Sequence, residues 1–279
     1  MQKTLSIEEL KDICRDVRAD IVRMTAEAGS GHPGGSLSSV ELLVPLYFSV
    51  LNHRPSQPDW PERDRFILSK GHVGPVLYSV MARTGYFPVE ELLTFRKMGS
   101  RLQGHPSMKA LPGLESSSGS LGQGLSIANG LALAARLNGR SFRVYCLMGD
   151  GELQEGQVWE AAMTAAHYKL DNVCALVDYN NLQIDGKVED VKNIAPLSAK
   201  WQSFNWHVIE IDGHDLSQVL KAYREAKSQK GKPTVIIAHT IKGKGVSFME
   251  NAAEWHGKAP NKAELERALQ DIYGEEGPR

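Results

Sequence analysis

Two short segments of the chain combine residue types that can bind a metal ion and a phosphate. Gly149-Asp150-Gly151 follows the apolar run 142–148, and Asn180-Asn181 follows the apolar run 173–179. In an open parallel sheet, ligands bind beyond the carboxyl ends of the strands, so both segments point to one edge. A carboxylate, an amide and a nearby backbone carbonyl suit Mg²⁺ or Ca²⁺, with a diphosphate completing the shell. Gly151 lets a backbone N–H approach a phosphate closely.

Among the histidines that stand beside a glycine, four are candidates for chemistry: His32, His72, His105 and His256. Each one alone is typical of a loop histidine in contact with water. None has the spacing of a zinc ligand. Neutral imidazole both donates and accepts hydrogen bonds and titrates near neutrality, so a cluster of these side chains could hold sugar hydroxyls and transfer protons.

Alternating apolar runs and helical patterns predict the elements that position these residues. A capping box at Ser6 and Glu9 begins the first helix, and Gly29 ends it. The pattern predicts strands at residues 65–68, 142–148, 173–178, 206–211 and 234–240. It predicts further helices at residues 37–50, 76–83, 89–96, 122–137, 155–168, 216–227 and 262–272. This order predicts an α/β fold, a parallel sheet with helices on both faces. We expect one α/β domain at residues 1–241, with residues 242–279 forming a loop and a tail packed on it.

Composition excludes several classes of function. The 279 residues are 42 % hydrophobic, and 32 basic residues against 33 acidic ones give a formal charge of −1. We therefore expect no nucleic-acid partner. The apolar runs are too short to cross a bilayer, so we expect no membrane partner. The three cysteines form neither a zinc motif nor a disulfide framework, and no secretory signal is evident, which favours the cytoplasm.

Taken in order, the motifs of residues 20–260 resemble the N-terminal, thiamine diphosphate-binding domain of transketolases. Ser120 departs from the proline that many relatives carry. The motifs are Ser30-Gly31-His32-Pro33-Gly34, Ser69-Lys70-Gly71-His72, Gly104-His105-Pro106, Gly119-Ser120-Leu121-Gly122-Gln123-Gly124, Gly149-Asp150-Gly151, Glu155-Gly156, Ile184-Asp185-Gly186, Ile211-Asp212-Gly213-His214-Asp215 and His256-Gly257.

The resemblance implies a role for each matching residue. Asp150 and Asn180 would coordinate Mg²⁺ by side chain and Leu182 by its carbonyl, with Ca²⁺ or Mn²⁺ as substitutes. The thiamine diphosphate pocket would be lined by His72, Gly119, Leu121, Gly151, Asn180 and His256. The donor ketose would contact His32, His72, His105 and His256. Glu155 and Glu160 would join a carboxylate relay at a subunit interface. Without the resemblance, these two residues would indicate only capping of a helix N-terminus and a helix face in contact with water.

Three segments need no catalytic interpretation. Gly119 to Gly124 does not read G-x-G-x-x-G and follows no apolar strand, so it does not predict a dinucleotide site. Ile241-Lys242-Gly243-Lys244-Gly245 is not a P-loop; it is either a lid over the cofactor or a mobile surface loop with solvated lysines. His214 is interpreted as structural.

The resemblance implies a partner, because the family's two further domains are missing from this chain. In the family they supply a glutamate and an aromatic residue at the aminopyrimidine and the groups that bind the sugar phosphate. We therefore expect the partner to be a C-terminal transketolase subunit, in an α2β2 heterotetramer. The expected reaction transfers a two-carbon ketol unit from a ketose phosphate, such as xylulose 5-phosphate, to an aldose phosphate, as in the pentose phosphate pathway.

Four alternatives stay open. The chain could be a 2-oxo acid dehydrogenase α-like subunit, which shares the Gly-Asp-Gly…Asn motif but not the Gly-His-Pro loops. It could be related to deoxyxylulose phosphate synthase, although the Gly-His-Pro loops favour transketolase. It could be a split transketolase specialised for an unusual sugar. It could be a non-catalytic thiamine diphosphate-binding module, which would not need His32 or His105.

Overall fold

A five-stranded parallel sheet forms the centre of the computed structural model, which describes residues 5–274. The first four and the last five residues, at the ends of the predicted segments 1–241 and 242–279, lie outside it. The strands are β1 (Arg65–Leu68), β2 (Val144–Gly149), β3 (Val173–Tyr179), β4 (Leu182–Gln183), β5 (Gly186–Lys187), β6 (His207–Asp212) and β7 (Thr234–His239). The sheet has the order β1-β2-β3-β7-β6, and β4 and β5 form a separate hairpin.

Helices cover both faces of the sheet, as the alternation of elements predicts. They are α1 (Ile7–Ala28), α2 (Pro33–Ser38), α3 (Val40–Pro45), α4 (Gly74–Thr84), α5 (Gly124–Leu137), α6 (Gly156–His167), α7 (Val188–Lys192), α8 (Leu197–Ser203), α9 (Leu216–Ser228) and α10 (Lys262–Tyr273). Successive residues of a strand point to opposite faces. Tyr145 and Leu147 of β2 therefore join the core with α1, α4 and α9, while Cys146 and Met148 join the core with α5 and α6.

The first helix forms as its capping signals predict. Ser6 accepts from the backbone N–H of Glu9, the Glu9 carboxylate accepts from that of Ser6, and Gly29 ends the helix with φ +58°. A left-handed conformation of this kind favours glycine. The helix α10 packs against α1, with Ala268 and Ile272 in the core.

The prediction of one helix at residues 37–50 is wrong. This stretch contains α2, α3 and a π-helical turn, Leu46–Val50, and α2 begins earlier, at Pro33. The hydroxyls of Ser38 and Ser39 donate to the Gly35 carbonyl over 3.0 and 2.9 Å, which interrupts the helical ladder. Pro45, which has no N–H, comes at the end of α3.

Smaller features also differ from the sequence prediction, among them the short helices α7 and α8, which the pattern does not predict. The helix expected at residues 89–96 is a 3₁₀ segment, Val89–Thr94, and the β4–β5 hairpin was not predicted. Among residues 5–274, the structure has no helix with both the length and the apolar character needed to span a membrane.

Candidate active site

A cavity of about 410 Å³ opens at the carboxyl ends of the strands. Of the predicted site residues, only Glu160 does not line it. The lining includes His32, Lys70, His72, His105, Gly119, Leu121, Asp150, Gly151, Glu155, Asn180, Leu182, Lys242 and His256. These residues follow β1, β2, β3 and β7 or lie in the loops above them, so one edge of the sheet gathers segments that are far apart in sequence.

Asp150 and Asn180 lie together on one wall of this cavity because β2 and β3 are neighbours in register, with Gly149 opposite Asp178. The Asp150 carboxylate accepts from the backbone N–H of Gly151 at 2.7 Å and of Asn181 at 2.5 Å. The Asn180 side-chain oxygen accepts from the Leu182 N–H at 3.1 Å. A carboxylate, an amide oxygen and the Leu182 carbonyl thus line the same cavity.

The electrostatics of this wall favour a bound cation. Asp150 is 3 % exposed. Burial, followed by the negative charge of Asp178, raises the pKa of Asp150 to about 7. A divalent ion would neutralise this buried carboxylate and hold it ionised.

The donor set fits Mg²⁺ rather than a softer metal. Across residues 5–274, no three His, Cys, Asp or Glu side chains group as a metal site, so an ion here depends on amide and carbonyl oxygens. A cation already contacts one of these oxygens, since Lys242 Nζ donates to the Leu182 carbonyl at 3.2 Å. Gly151 leaves backbone space beside Gln183, because a Cβ there would lie 3.3 Å from the Gln183 Cβ.

The four predicted histidines form one cluster in the cavity. The ring of His32 lies 5.2 Å from that of His72, 5.5 Å from that of His256 and 6.4 Å from that of His105. The rings of His72 and His256 stack at 5.1 Å. The Nδ1 atom of His32 is buried and has no hydrogen-bond partner, so it is free to bind a polar group of a ligand.

Burial and neighbouring positive charges keep this cluster neutral. Burial, then the charge of Arg96, lowers the pKa of His32 to about 4, and burial, then Lys242, lowers the pKa of His256 to about 3. Burial is also the main cause that lowers the pKa of His72 and of His105. Neutral imidazoles can both donate to and accept from ligand hydroxyls near pH 7.

Lys242 is a site residue that the sequence analysis missed. It is 1 % exposed, so its interpretation as a solvated surface charge is wrong. Its Nζ lies 2.8 Å from His256 Nδ1, and burial lowers the pKa of Lys242 to about 8. A protonated amine can only donate; His256 Nδ1 is therefore an acceptor, and the proton of the neutral ring lies on Nε2. Lys242 follows β7 at the carboxyl-end edge of the sheet, where ligands bind, and this position could have indicated that it belongs to the site.

A second buried lysine, Lys70, organises the floor of the cavity. Lys70 Nζ pairs with the Asp178 carboxylate, and neither residue is more than 2 % exposed. The same carboxylate accepts from Ser38 at 2.6 Å and from the hydroxyl of Thr240. Asp178 thus connects β3 to α2 and to the segment after β7, which explains why a charged residue stands next to last in an otherwise mostly apolar strand.

Glu152 connects three segments beside the cavity and was also missed. Its carboxylate accepts from the Gly122 N–H at 2.8 Å, from the Gly149 N–H at 3.0 Å and from the hydroxyl of Ser69. Ser69 in turn accepts from the Gly124 N–H at 3.1 Å. These bonds fix the loop that places Gly119 and Leu121 in the cavity wall.

The two predicted relay carboxylates lie in different places. Glu155 is at the rim of the cavity, before the first residue of α6, and makes no side-chain capping bond. Glu160 lies on the exposed face of α6, outside the cavity lining. The outward faces of α5 and α6 also carry exposed apolar side chains, Ile127 and Met163.

His214 is structural in the sense that the sequence analysis expected. It is absent from the cavity lining, accepts from the Ile241 N–H at 2.8 Å and pairs with Glu41 at 2.9 Å.

Comparison with known proteins agrees with this geometry. The family model described as the transketolase, thiamine diphosphate binding domain, matches residues 9–278. The 6-deoxy-6-sulfo-D-fructose transketolase subunit SqwG of Clostridium sp. (strain MSTE9) is 47 % identical over 228 residues, which are 82 % of this chain and 83 % of that protein. A relative from Actinobacillus succinogenes, named as one subunit of an apulose-4-phosphate transketolase, is 44 % identical over 97 % of this chain and 98 % of its own length.

Larger transketolases match over part of their length. Human transketolase is 41 % identical over 270 residues, 96 % of this chain and 43 % of the human protein. The crystal structure of transketolase from Campylobacter jejuni superposes with a TM-score of 0.91 at 34 % identity, over 96 % of this chain and 43 % of that chain. The chain therefore belongs to the transketolase family of enzymes, within which it corresponds to the thiamine diphosphate-binding domain.

Proposed function

We propose that the chain is the N-terminal subunit of a split transketolase that transfers a two-carbon ketol unit from a ketose phosphate to an aldose phosphate. One observation carries this proposal: four neutral histidines surround the same cavity as Asp150, Asn180 and the Leu182 carbonyl. A site that only bound a diphosphate would need the oxygen ligands but not the histidine cluster.

Thiamine diphosphate and Mg²⁺ are the proposed cofactors. Asp150, Asn180 and the Leu182 carbonyl would hold the metal, and the backbone at Gly151 would face the diphosphate. Gly119 and Leu121 would line the pocket beside the rings of His72 and His256. When bound, thiamine diphosphate supplies the nucleophilic carbon that carries the two-carbon unit between sugars.

The histidines would bind and orient the sugar. The buried Nδ1 of His32 is free to pair with a hydroxyl, and His256 carries its proton on Nε2 as a donor. Because the pKa of each histidine is lowered, the rings are neutral at pH 7 and can both donate hydrogen bonds to sugar hydroxyls and accept hydrogen bonds from them. His105 is the exposed member of the cluster, so it would contact the sugar rather than the cofactor.

A C-terminal transketolase subunit is the proposed partner, in an α2β2 heterotetramer of the cytoplasm. Two relatives that match over most of their own length are named as subunits, whereas human transketolase is more than twice as long as the matched region. The exposed apolar residues Ile127 of α5 and Met163 of α6, the second of which lies three positions after Glu160, would lie in a subunit interface.

A donor other than xylulose 5-phosphate is the second candidate function. The relatives at 47 % and 44 % identity are named for 6-deoxy-6-sulfo-D-fructose and apulose 4-phosphate. In the proposed assembly, the groups that bind the phosphate or sulfonate end belong to the partner chain. Sequence identity within this chain therefore supports ketol transfer as the reaction more strongly than it supports any one sugar as the donor.

The test is reconstitution with purified subunits. The chain is assayed with thiamine diphosphate and Mg²⁺, alone and with a purified C-terminal transketolase subunit, and ribose 5-phosphate or glyceraldehyde 3-phosphate is the acceptor. Xylulose 5-phosphate, 6-deoxy-6-sulfo-D-fructose and apulose 4-phosphate are compared as donors. Ketol transfer only in the mixture supports the proposal, and the preferred donor decides between the two candidates. Enzyme-like turnover by the chain alone would contradict it.

A further inference from the structure

A buried chain of three charged or polar side chains lies behind residues 241–245. Arg18 comes from α1, Glu41 from α3 and His214 from the turn after β6. None of the three lines the histidine cavity; together they line a second cavity of about 610 Å³. The function proposed above leaves all three unused.

Glu41 joins the other two members through its two carboxylate oxygens. Arg18 Nη2 donates to one oxygen, and His214 Nδ1 lies 2.9 Å from the other. Arg18 and Glu41 are each 7 % exposed. Burial alone would raise the pKa of Glu41, but the Arg18 charge and the His214 hydrogen bond hold that pKa below its usual value. Glu41 is therefore ionised and paired on both sides.

The outer ends of this chain bind the backbone on either side of Lys242. The Ile241 N–H donates to His214 Nε2 at 2.8 Å, and Arg18 Nε donates to the Lys244 carbonyl at 2.9 Å. Because His214 Nε2 accepts, the neutral ring carries its proton on Nδ1 and donates it to Glu41. The hydrogen bond to Glu41 thus fixes the tautomer of His214, and this tautomer leaves Nε2 able to accept from the Ile241 N–H.

The segment also packs tightly on Arg18. Gly245 has φ +90°, and a Cβ at this position would lie 2.7 Å from Arg18 Cδ. A second backbone bond, from the Gly243 N–H to the Gly34 carbonyl at 2.9 Å, fixes the side facing α2. Residues 241–245 are therefore held between Arg18 on one side and Gly34 on the other.

We propose that Arg18, Glu41 and His214 are positioning residues that hold the backbone on both sides of Lys242, and so place its Nζ between the Leu182 carbonyl and His256. The effect on the backbone concerns this chain alone. The effect on thiamine diphosphate rests on the proposed function, because it acts through the Lys242 position in the cofactor cavity.

The most selective perturbation is Glu41→Gln. The amide presents one acceptor and one donor where the carboxylate presents two acceptors. If Arg18 takes the acceptor, the amide N–H faces His214 Nδ1, and the ring must move its proton to Nε2. Nε2 then no longer accepts from Ile241.

His214→Gln is the milder second variant, since its shorter side chain can make one of the two bonds but not both. Glu225→Gln is the matched control, because Glu225 pairs with His207 at 2.8 Å at the opposite end of β6.

Three readouts test the proposal in the full chain. Amide hydrogen exchange of residues 241–245 should become at least tenfold faster in Glu41→Gln and His214→Gln but not in Glu225→Gln. The ¹⁵N spectrum of labelled histidine should show the His214 proton moving from Nδ1 to Nε2 in Glu41→Gln. The Kd for thiamine diphosphate with Mg²⁺ should rise about tenfold, and this rise should vanish when Glu41→Gln is made in a Lys242→Ala background.

The outcomes separate this proposal from the proposed function. Unchanged exchange at residues 241–245 in both variants overturns the positioning role, whether or not the cofactor binds. Additive effects of Glu41→Gln and Lys242→Ala on cofactor affinity also overturn it, since a general loss of stability would add. If the wild-type chain mixed with the C-terminal subunit binds no thiamine diphosphate, the proposed function fails, while faster exchange in the variants still supports the positioning role.

Discussion

Asp150 is the residue on which metal binding should depend most. Replacing Asp150 by Asn removes the only carboxylate of the proposed oxygen set and keeps its size. We expect the Kd for thiamine diphosphate in the presence of Mg²⁺ to rise by about 100-fold, in line with the loss of a metal ligand. Isothermal titration calorimetry measures this change.

Asp190→Asn, an exposed carboxylate on α7, is the control for Asp150→Asn. The control should bind as the wild type does. Equal cofactor affinity in Asp150→Asn and the wild type would rule out the proposed metal site.

His105 separates sugar chemistry from cofactor binding. We expect His105→Ala to lower kcat/KM of the reconstituted complex by about 10²-fold or more, as for the loss of an acid–base or orienting group. The affinity for thiamine diphosphate should hold, because the metal ligands stay in place. His167→Ala, in the last turn of α6, is the matched control. A parallel loss of cofactor affinity would instead favour a structural role for His105.

At the scale of elements, the loops that carry the histidines make folding sensitive to acid. The pKa of His32 is lowered from 6.5 to about 4, and that of His256 from 6.5 to about 3. Between pH 6.5 and about 4, the unfolded chain binds protons at these two histidines that the folded chain does not, so their contribution to the free energy of unfolding falls as the pH falls. The slope is at most about 1.4 kcal/mol per pH unit for each histidine.

Urea unfolding of the cofactor-free chain between pH 7.5 and 4.5 measures this slope. His256→Gln should flatten it, and His167→Gln should leave it unchanged. A slope that is identical in all three proteins would show that His256 is not buried in its neutral form.

Glu152 should matter for stability more than its position in a turn suggests. Glu152→Ala leaves the N–H groups of Gly122 and Gly149 without their acceptor. Buried unsatisfied donors cost about 1–3 kcal/mol each, so we expect a loss of roughly 2–6 kcal/mol in the free energy of unfolding. Chemical denaturation checks this value, with the exposed Glu160→Ala as control. A loss below about 1 kcal/mol would mean that water replaces the carboxylate.

The elements of the sheet were predictable, but the contacts between them were not. The apolar runs of β2 and β3 and the polar residues after them indicate a common edge, and the structure has it. Nothing local indicates that Lys70 pairs with Asp178, 108 positions away, or that Lys242 is buried. At the break between α2 and α3, the hydroxyls of Ser38 and Ser39 reach Asp178 as well as the Gly35 carbonyl, so helical periodicity alone could not predict it.

At the scale of the whole molecule, assembly should depend on the outward faces of α5 and α6. Met163 is 53 % exposed on α6, and Ile127 is 36 % exposed on the adjoining α5. We expect Met163→Lys to weaken association with the C-terminal subunit by at least tenfold, because a charge would be buried in the interface. Sedimentation velocity of the mixed subunits measures the association.

Met98→Lys is the control for Met163→Lys, because Met98 is fully exposed in a loop distant in sequence from α5 and α6. The control should assemble normally, and both variants should keep the melting temperature of the wild type. Normal assembly of Met163→Lys would place the interface elsewhere.

The two edges of the sheet, at the carboxyl ends and at the amino ends of its strands, should differ in how well they tolerate insertions. The residues that line the candidate site lie beyond the carboxyl ends of strands, whereas residues 139–143 and 229–233 enter β2 and β7 at the opposite end. Gly139 and Gly231 have open space around them. Exposed turns of this kind accept inserted peptides readily. The turns that precede β2 and β7 are therefore the places to attach a fluorophore or a surface tether. A label there would follow cofactor binding and subunit exchange without changing the residues at the carboxyl ends of the strands.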